Sequence, residues 1–244
     1  MSLLVDIREA CRIGLASVRA NLVPMVVLFG LAAVVSLGYF NVPEVSAALG
    51  PVARWQEEYG WIAAFATCGF FCGLLPGAFV FLVRRLRVAH PWRTLSVQVA
   101  WSGVCGIVSQ VVFSLNAELF GTGTDLVTLG LKTLVFQFAW VPLFYGPVGA
   151  LVYFWMGCDF SLVRFRHECT WRSWMAVLLP NLMTNWSLWI PCSFIVHLFP
   201  TDLQIQLTGF ANAFYSLLLI WIGRQSGVQR SRHSVGVTPV SRLK

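Results

Sequence analysis

Long uncharged hydrophobic runs alternate with short polar segments along this chain of 244 residues. A membrane-spanning helix needs about 20 predominantly apolar residues, because each residue advances the helix by only about 1.5 Å. Several runs reach that length. The pattern therefore predicts an all-α integral membrane protein, a bundle of about six transmembrane helices, several of them proline-kinked, with an amphipathic N-terminal helix. The predicted transmembrane helices cover residues 22–40, 61–83, 95–116, 133–156, 174–197 and 203–222.

The two ends of the chain differ from this membrane domain, which we place at residues 22–224. In residues 1–21, apolar positions recur at helical spacing with arginines on other faces, which predicts an amphipathic helix at the membrane surface. Asp6 and Glu9 interrupt the basic face and disfavour a mitochondrial transit peptide, and the run at 22–40 is too long for a signal peptide. Residues 225–244 are polar and basic, which predicts a disordered tail.

The fifth run, residues 174–197, contains no charged residue but carries a polar flank. Pro180 and Pro191 are expected to kink the helix because each removes a backbone donor. Freed carbonyls and side-chain amides need partners in lipid, so this helix should face the bundle interior. The flank serves either hydrogen bonds between helices or the wall of a hydrophilic path. Its members recur every four residues: Asn181, Asn185, Trp189, Ser193 and His197.

Neutral amides are the main polar groups in the last four predicted helices, and no carboxylate lies within any of the six. The missing carboxylates argue against a proton relay through the membrane. Five of these amides, spread over the four helices, favour a water-filled centre more than a single amide would. The candidate path-lining residues are Gln110, Lys132, Gln137, Asn181, Asn185, His197 and Asn212. The candidate kink residues are Pro142, Pro180 and Pro191.

The second predicted helix carries a stripe of small residues. Gly69, Gly73 and Gly77 fall four residues apart. Because glycine has no side chain, such a stripe lets the backbone of a second helix approach closely. We therefore predict a helix-packing face at these positions.

The basic residues are distributed unevenly between the segments that join the helices. If the six helices alternate across the membrane, 15 of the 17 Lys and Arg fall on one side. Positively charged residues collect on the cytoplasmic side, so both termini are predicted to be cytoplasmic. The net charge of +7 therefore follows the lipid headgroups, with no groove-reading motif beside it, and nucleic acid is not expected as a partner.

Composition agrees with a membrane class, since 57% of the residues are hydrophobic and 11% are charged. The seven cysteines lie mostly in or beside apolar runs, without zinc-ligand or redox spacing, and are interpreted as small buried apolar residues. No HExxH, GxSxG or glycine-rich phosphate loop occurs. We therefore expect no catalytic residue, metal or cofactor, and no enzyme activity.

The sequence KTLVFQFAWVP, with Lys132, Gln137 and Pro142, resembles the Lys-x4-Gln-x4-Pro element of the Mpv-seventeen family. This is the family of the twenty-two-kilodalton peroxisomal membrane protein. Pro180 and Pro191 have the separation of two prolines in a later helix of that family. The resemblance covers roughly residues 125–224.

Three residues depart from the family pattern. Leu179, Met183 and Phe136 stand where members usually have Trp, Gln and often Asp. The family usually has four membrane helices, so residues 1–60 would be an addition. Members reside in mitochondrial inner or peroxisomal membranes and are regarded as channels for small solutes.

The resemblance implies a pore-like function. We expect a channel or facilitator for small solutes, whose partners are the lipid bilayer and small-molecule solutes, with a homo-oligomer left open. A noncatalytic membrane scaffold, whose amides serve only helix packing, is the alternative. The basic, tryptophan-rich composition suggests a bacterial relative, so we expect the bacterial cytoplasmic membrane, or a mitochondrial inner or peroxisomal membrane if the source is eukaryotic.

Overall fold

The computed structural model describes residues 12, 15–16, 19, 22–82 and 90–217. Within this part of the chain every regular element is helical, which confirms the all-α class. Two π-helical stretches, Gly69–Leu74 and Val135–Tyr145, join α2 to α3 and α5 to α6. The α-helices are α1 (Leu22–Asn41), α2 (Pro43–Cys68), α3 (Leu75–Leu82), α4 (Pro91–Phe120), α5 (Leu126–Leu134), α6 (Gly146–Gly157), α7 (Leu162–Glu168), α8 (Trp171–Val196) and α9, described over 201–217.

Three continuous helices among the described residues are long and apolar enough to cross a membrane. They are Pro43–Val80, Pro91–Phe120 and Leu126–Gly157, and Met25–Asn41 is a shorter apolar helix. These helices indicate a membrane protein, while the number six stays a prediction. The tail at 225–244 lies outside the described residues, as do the helix ends at 83 and 218–222. So does the surface helix at 1–21, apart from residues 12, 15, 16 and 19, which are helical.

Helix α2 begins at Pro43, well before the predicted start at residue 61. Residues 43–60 are therefore helical where a connecting segment was expected. The axis breaks at Gly60, whose φ of 50° lies in the left-handed region that glycine adopts without strain. Gln56 braces the break: its Nε2 donates to the Gly60 carbonyl at 2.8 Å, and its Oε1 accepts from Gln206 Nε2 of α9 at 2.6 Å. The predicted span therefore starts at this break.

The glycine stripe lies against α4. A Cβ added to Gly73 would stand 2.7 Å from Val99 Cα, and one added to Gly77 would stand 2.5 Å from Leu95 Cδ1. Gly69 has more room, with 3.5 Å to the Val99 carbonyl oxygen. At Gly73 the obstacle is backbone, so only glycine permits this separation of the two helices.

Helix α8 occupies the middle of the bundle. One side packs against α1 and the other against α5, α6 and the second π-helical stretch. Two groups of buried apolar side chains follow this division. The first includes Met25, Leu28, Leu188, Cys192 and Tyr215. The second includes Ala64, Cys68, Val112, Phe113, Phe136, Val141, Ala150, Leu178, Leu182, Val196 and Ile205.

Candidate functional site

The polar flank of α8 is presented by one continuous helix. A capping box starts it, in which the Thr170 hydroxyl accepts from the Ser173 amide and the Ser173 hydroxyl accepts from the Thr170 amide. The helix then continues through Pro180 and Pro191 to Val196. The polar side chains in the middle of α8 therefore form one continuous surface, which faces the second π-helical stretch.

Gln137, near the start of that stretch, contacts three members of the flank. Its side chain is 0% exposed. Nε2 donates to Ser193 Oγ at 2.6 Å and to the Trp189 carbonyl at 3.4 Å, while Oε1 accepts from Asn185 Nδ2 at 3.4 Å. The four-residue repeat on α8 thus meets a single amide on the facing helix.

Trp186 supplies a further hydrogen bond at the same place. Its Nε1 donates to the backbone carbonyl of Gln137 at 2.8 Å. In π-helical bonding this carbonyl would accept from the amide five residues later, which is Pro142 and has no N–H. The indole therefore satisfies a carbonyl that proline leaves without a donor, which ties the π-helical stretch to α8.

A cavity of about 100 Å³ lies beside this junction. A polar cavity of this size exceeds the roughly 10–15 Å³ that one water requires. Hydroxyls, thiols, amides, phenols and indoles from α2, α4, α6, α8, α9 and both π-helical stretches line it. The lining residues are Cys68, Cys72, Trp101, Ser102, Cys105, Gly106, Ser109, Phe136, Gln137, Trp140, Val141, Tyr145, Tyr153, Asn185, Trp189, Thr208 and Asn212. We call this space the central cavity.

A second hollow, of about 350 Å³, adjoins the central cavity. Val141, Tyr145, Tyr153 and Asn185 belong to the lining of both. The hollow continues along α6 and α8 to Asn181, whose side chain is exposed. It therefore extends from the central cavity to an exposed polar residue. We call it the side hollow.

Three aromatic rings pack together on the side of the central cavity away from the side hollow. Phe113 and Phe136 stack with ring centroids 5.0 Å apart, and the His197 ring stands edge-on to both, at 5.5 and 6.2 Å. His197 is 3% exposed, and neither ring nitrogen makes a hydrogen bond of good geometry within the described part of the protein. We call these three rings the aromatic plug.

The structure separates the predicted path-lining residues into three groups. Gln137, Asn185 and Asn212 line the central cavity, and Asn181 lines the side hollow. The remaining three, Gln110, Lys132 and His197, line neither space.

These three are nonetheless largely withdrawn from the surface. Lys132 is only 3% exposed, and its backbone carbonyl accepts from Asn116 Nδ2 at 3.4 Å. The Oε1 atom of Gln110 is buried without a hydrogen-bond partner among the described residues. His197 is part of the aromatic plug, and Lys132 lies one helical turn before Phe136 of that plug.

Sequence reasoning did not single out the thiols and phenols of the cavity wall. Cys68, Cys72 and Cys105 were interpreted as small buried apolar residues; Cys68 does belong to an apolar cluster and Cys72 packs against it, and all three also line the central cavity with Tyr145 and Tyr153. The sequence of α4 did contain a signal, because small and polar residues recur every three or four positions on the face that lines the cavity: Ser102, Gly106 and Ser109. No such periodicity marks the tyrosines. No group of His, Cys, Asp or Glu in the described part of the chain is arranged to hold a metal ion.

Comparisons with protein-family models, with curated proteins and with solved structures give no match for this chain.

Proposed function

We propose that this protein is a channel or facilitator for small solutes, which move through the central cavity and the side hollow. One observation carries the proposal: the two spaces share four lining residues and hold three of the predicted intramembrane amides, with a fourth at the outer rim. Polar side chains at membrane depth need protein or water partners. Water in these spaces would satisfy them and provide the path.

The Gln137 junction favours the second candidate function, a noncatalytic scaffold. Gln137 has no exposed surface, and both polar atoms of its amide bond to α8. An amide used in this way stabilises helix association without touching a solute. The proposal therefore places solute contact on Asn185 and Asn212, and gives Gln137 a positioning role.

Family and location are part of the same proposal. The residues that resemble the Mpv-seventeen element are placed at the junction or beside it: Gln137 and Pro142 form it with Trp186, and Lys132 precedes it by about one and a half turns. We propose a bacterial cytoplasmic membrane location with both termini cytoplasmic, on the strength of the uneven distribution of Lys and Arg.

The decisive experiment measures solute flux in liposomes with the Asn185→Leu variant. Osmotic swelling with small sugars and amino acids should be faster with wild-type protein than in protein-free liposomes. Asn185→Leu should reduce that flux at least fivefold, because it narrows the passage between the two spaces and removes a polar group. Asn41→Leu is the matched control: Asn41 is exposed, bonds only within α1 and lines neither space.

Thiol chemistry tests the same path without a substitution. If the central cavity holds water, a small water-soluble methanethiosulfonate should modify Cys105, and mass spectrometry should show little modification of Cys192. Cys192 is buried in an apolar cluster and lines an apolar groove. Absence of wild-type flux together with unreactive Cys105 would contradict the channel and favour the scaffold.

A further inference from the structure

Among the described residues, the wall of the central cavity is neutral: its lining contains no Asp, Glu, Lys, Arg or His. The side hollow has the same character, with Asn181, Asn185, Tyr145 and Tyr153 as its polar groups. A solute that follows the proposed path meets dipoles of both signs and no full charge.

In the described part of the chain, one buried side chain carries a full charge, that of Lys132, and it does not line the central cavity. Lys132 precedes Phe136 by one helical turn, and Phe136 separates it from the central cavity as part of both the lining and the aromatic plug. The Lys132 ammonium acts electrostatically on His197, and Asp125 is the acidic group that acts on Lys132. Among the described residues these charges belong to the far side of the plug, and none offers a counter-ion inside the cavity.

Neutral walls discriminate between solutes by charge. An ion that leaves water for such a cavity loses its hydration and gains no opposite charge, a cost that isolated dipoles offset only in part. Ion pathways instead use rings of carboxylates, basic side chains or convergent carbonyls. A neutral solute with donors and acceptors exchanges its water bonds for bonds to amides, hydroxyls and phenols at little cost.

Shape and size narrow the class further. Three indoles line the cavity, and two of them are held by stacking: Trp140 on Phe144 at 5.0 Å and Trp101 on Tyr145 at 6.4 Å. Such rings present flat walls. A volume of about 100 Å³ admits a solute of only a few heavy atoms.

We infer that the path selects small uncharged hydrogen-bonding solutes, of the size and polarity of urea, and excludes ions of the same shape. This inference rests on the proposed channel function and adds its selectivity. The neutral lining of the central cavity is the feature that decides it.

Urea and guanidinium form a matched pair for the test. Both are planar, both have four heavy atoms and both donate several hydrogen bonds, but only guanidinium is charged at neutral pH. Initial uptake of each radiolabelled solute should be measured in proteoliposomes, with potassium on both sides and valinomycin present to prevent a diffusion potential. Wild-type protein should raise urea uptake above protein-free liposomes and should favour urea over guanidinium at least tenfold after that background is subtracted.

The outcomes distinguish the two proposals. Uptake of both solutes at similar rates would leave the channel standing and overturn the charge selectivity. Uptake of neither, from protein that retains its helical circular dichroism, would overturn the channel and the inference with it.

The variant Asn185→Asp tests whether the neutral lining of the cavity causes the selectivity. At pH 9 the new carboxylate should lower the urea-to-guanidinium ratio at least fivefold, while Asn41→Asp on the surface of α1 should leave the ratio unchanged. An unchanged ratio in Asn185→Asp that retains urea uptake would show that the neutral lining is not the origin of selectivity.

Discussion

Two helix interfaces in this protein contain a π-helical stretch, and they are held together by different forces. At the first, Gly73 brings the stretch Gly69–Leu74 into backbone contact with α4. At the second, Gln137 and Trp186 bind the stretch Val135–Tyr145 to α8 through hydrogen bonds. The first interface depends on the absence of side chains, and the second depends on particular polar side chains.

The contrast follows from the solvent. Lipid tails are as apolar as leucine, so burial of apolar surface does little to drive helices together within a bilayer. Two other forces can hold helices together in a bilayer: close van der Waals packing of small residues, and hydrogen bonds between helices. The glycine interface uses the first and leaves no space along Gly73, whereas the polar interface keeps its helices far enough apart for amides and indoles, and the central cavity lies beside it.

The largest loss of stability is expected from a substitution at the glycine interface. Gly73→Leu should force α4 away, because even a Cβ would stand 2.7 Å from Val99 Cα and 3.0 Å from the Gln98 carbonyl oxygen. Overpacking of this kind costs about 1–3 kcal/mol or more, so the melting temperature in detergent should fall by several degrees. Gly30→Leu is the matched control, since a Cβ added there meets nothing within 4 Å. Equal melting temperatures for the two variants would show that Gly73 does not set the separation of α4.

A smaller and more specific effect is expected at the polar interface. Trp186→Phe should remove the donor to the Gln137 carbonyl and lower stability by about 0.6 kcal/mol, the average for hydrogen bonds between membrane helices, and by no more than about 1.7 kcal/mol. The loss should shrink in the background Pro142→Ala, because residue 142 then has an N–H for that carbonyl. Thermal unfolding of the wild type, both single variants and the double variant gives the coupling energy. A coupling of zero would contradict the account of how proline and indole compensate each other.

The smallest loss of stability is expected at the start of α5, which is exposed to water and leads into the polar interface. Asp125 caps α5, with Oδ1 accepting from the Thr128 amide at 3.0 Å and the Val127 amide at 3.2 Å. A hydrogen bond from the Thr128 side chain, together with these amides, lowers the pKa of the Asp125 carboxyl. A lowered pKa means that the cap stabilises the fold above the unfolded pKa of about 3.9, and that this stabilisation disappears as the pH falls through the folded value.

Asp125→Ala should accordingly lower the melting temperature slightly at pH 7, and the difference from wild type should shrink as the pH falls below the unfolded pKa of about 3.9. Glu118→Ala, at an exposed carboxylate of α4, is the control for the loss of a surface charge. A difference for Asp125→Ala that persists unchanged at low pH would exclude the charged cap as its cause.

Several features could be predicted from the sequence because they depend on local pattern and composition. Long uncharged runs predicted helices of membrane length, and the structure is helical with three such helices in its described part. The four-residue repeat of Gly69, Gly73 and Gly77 predicted a close approach of helices because any side chain there would prevent it. The polar flank of α8 could likewise be read from its spacing.

What the sequence could not give is which helices face each other and at what register. Asn185 lines the cavity while His197, three turns further on, is enclosed by two phenylalanines, although both belong to one periodic flank. The thiol of Cys105 became part of a polar wall only because α2, α4 and α9 converge around it. Periodicity fixes the face of one helix, but the partner of that face depends on contacts between residues distant in the chain, and those exist only in the folded bundle.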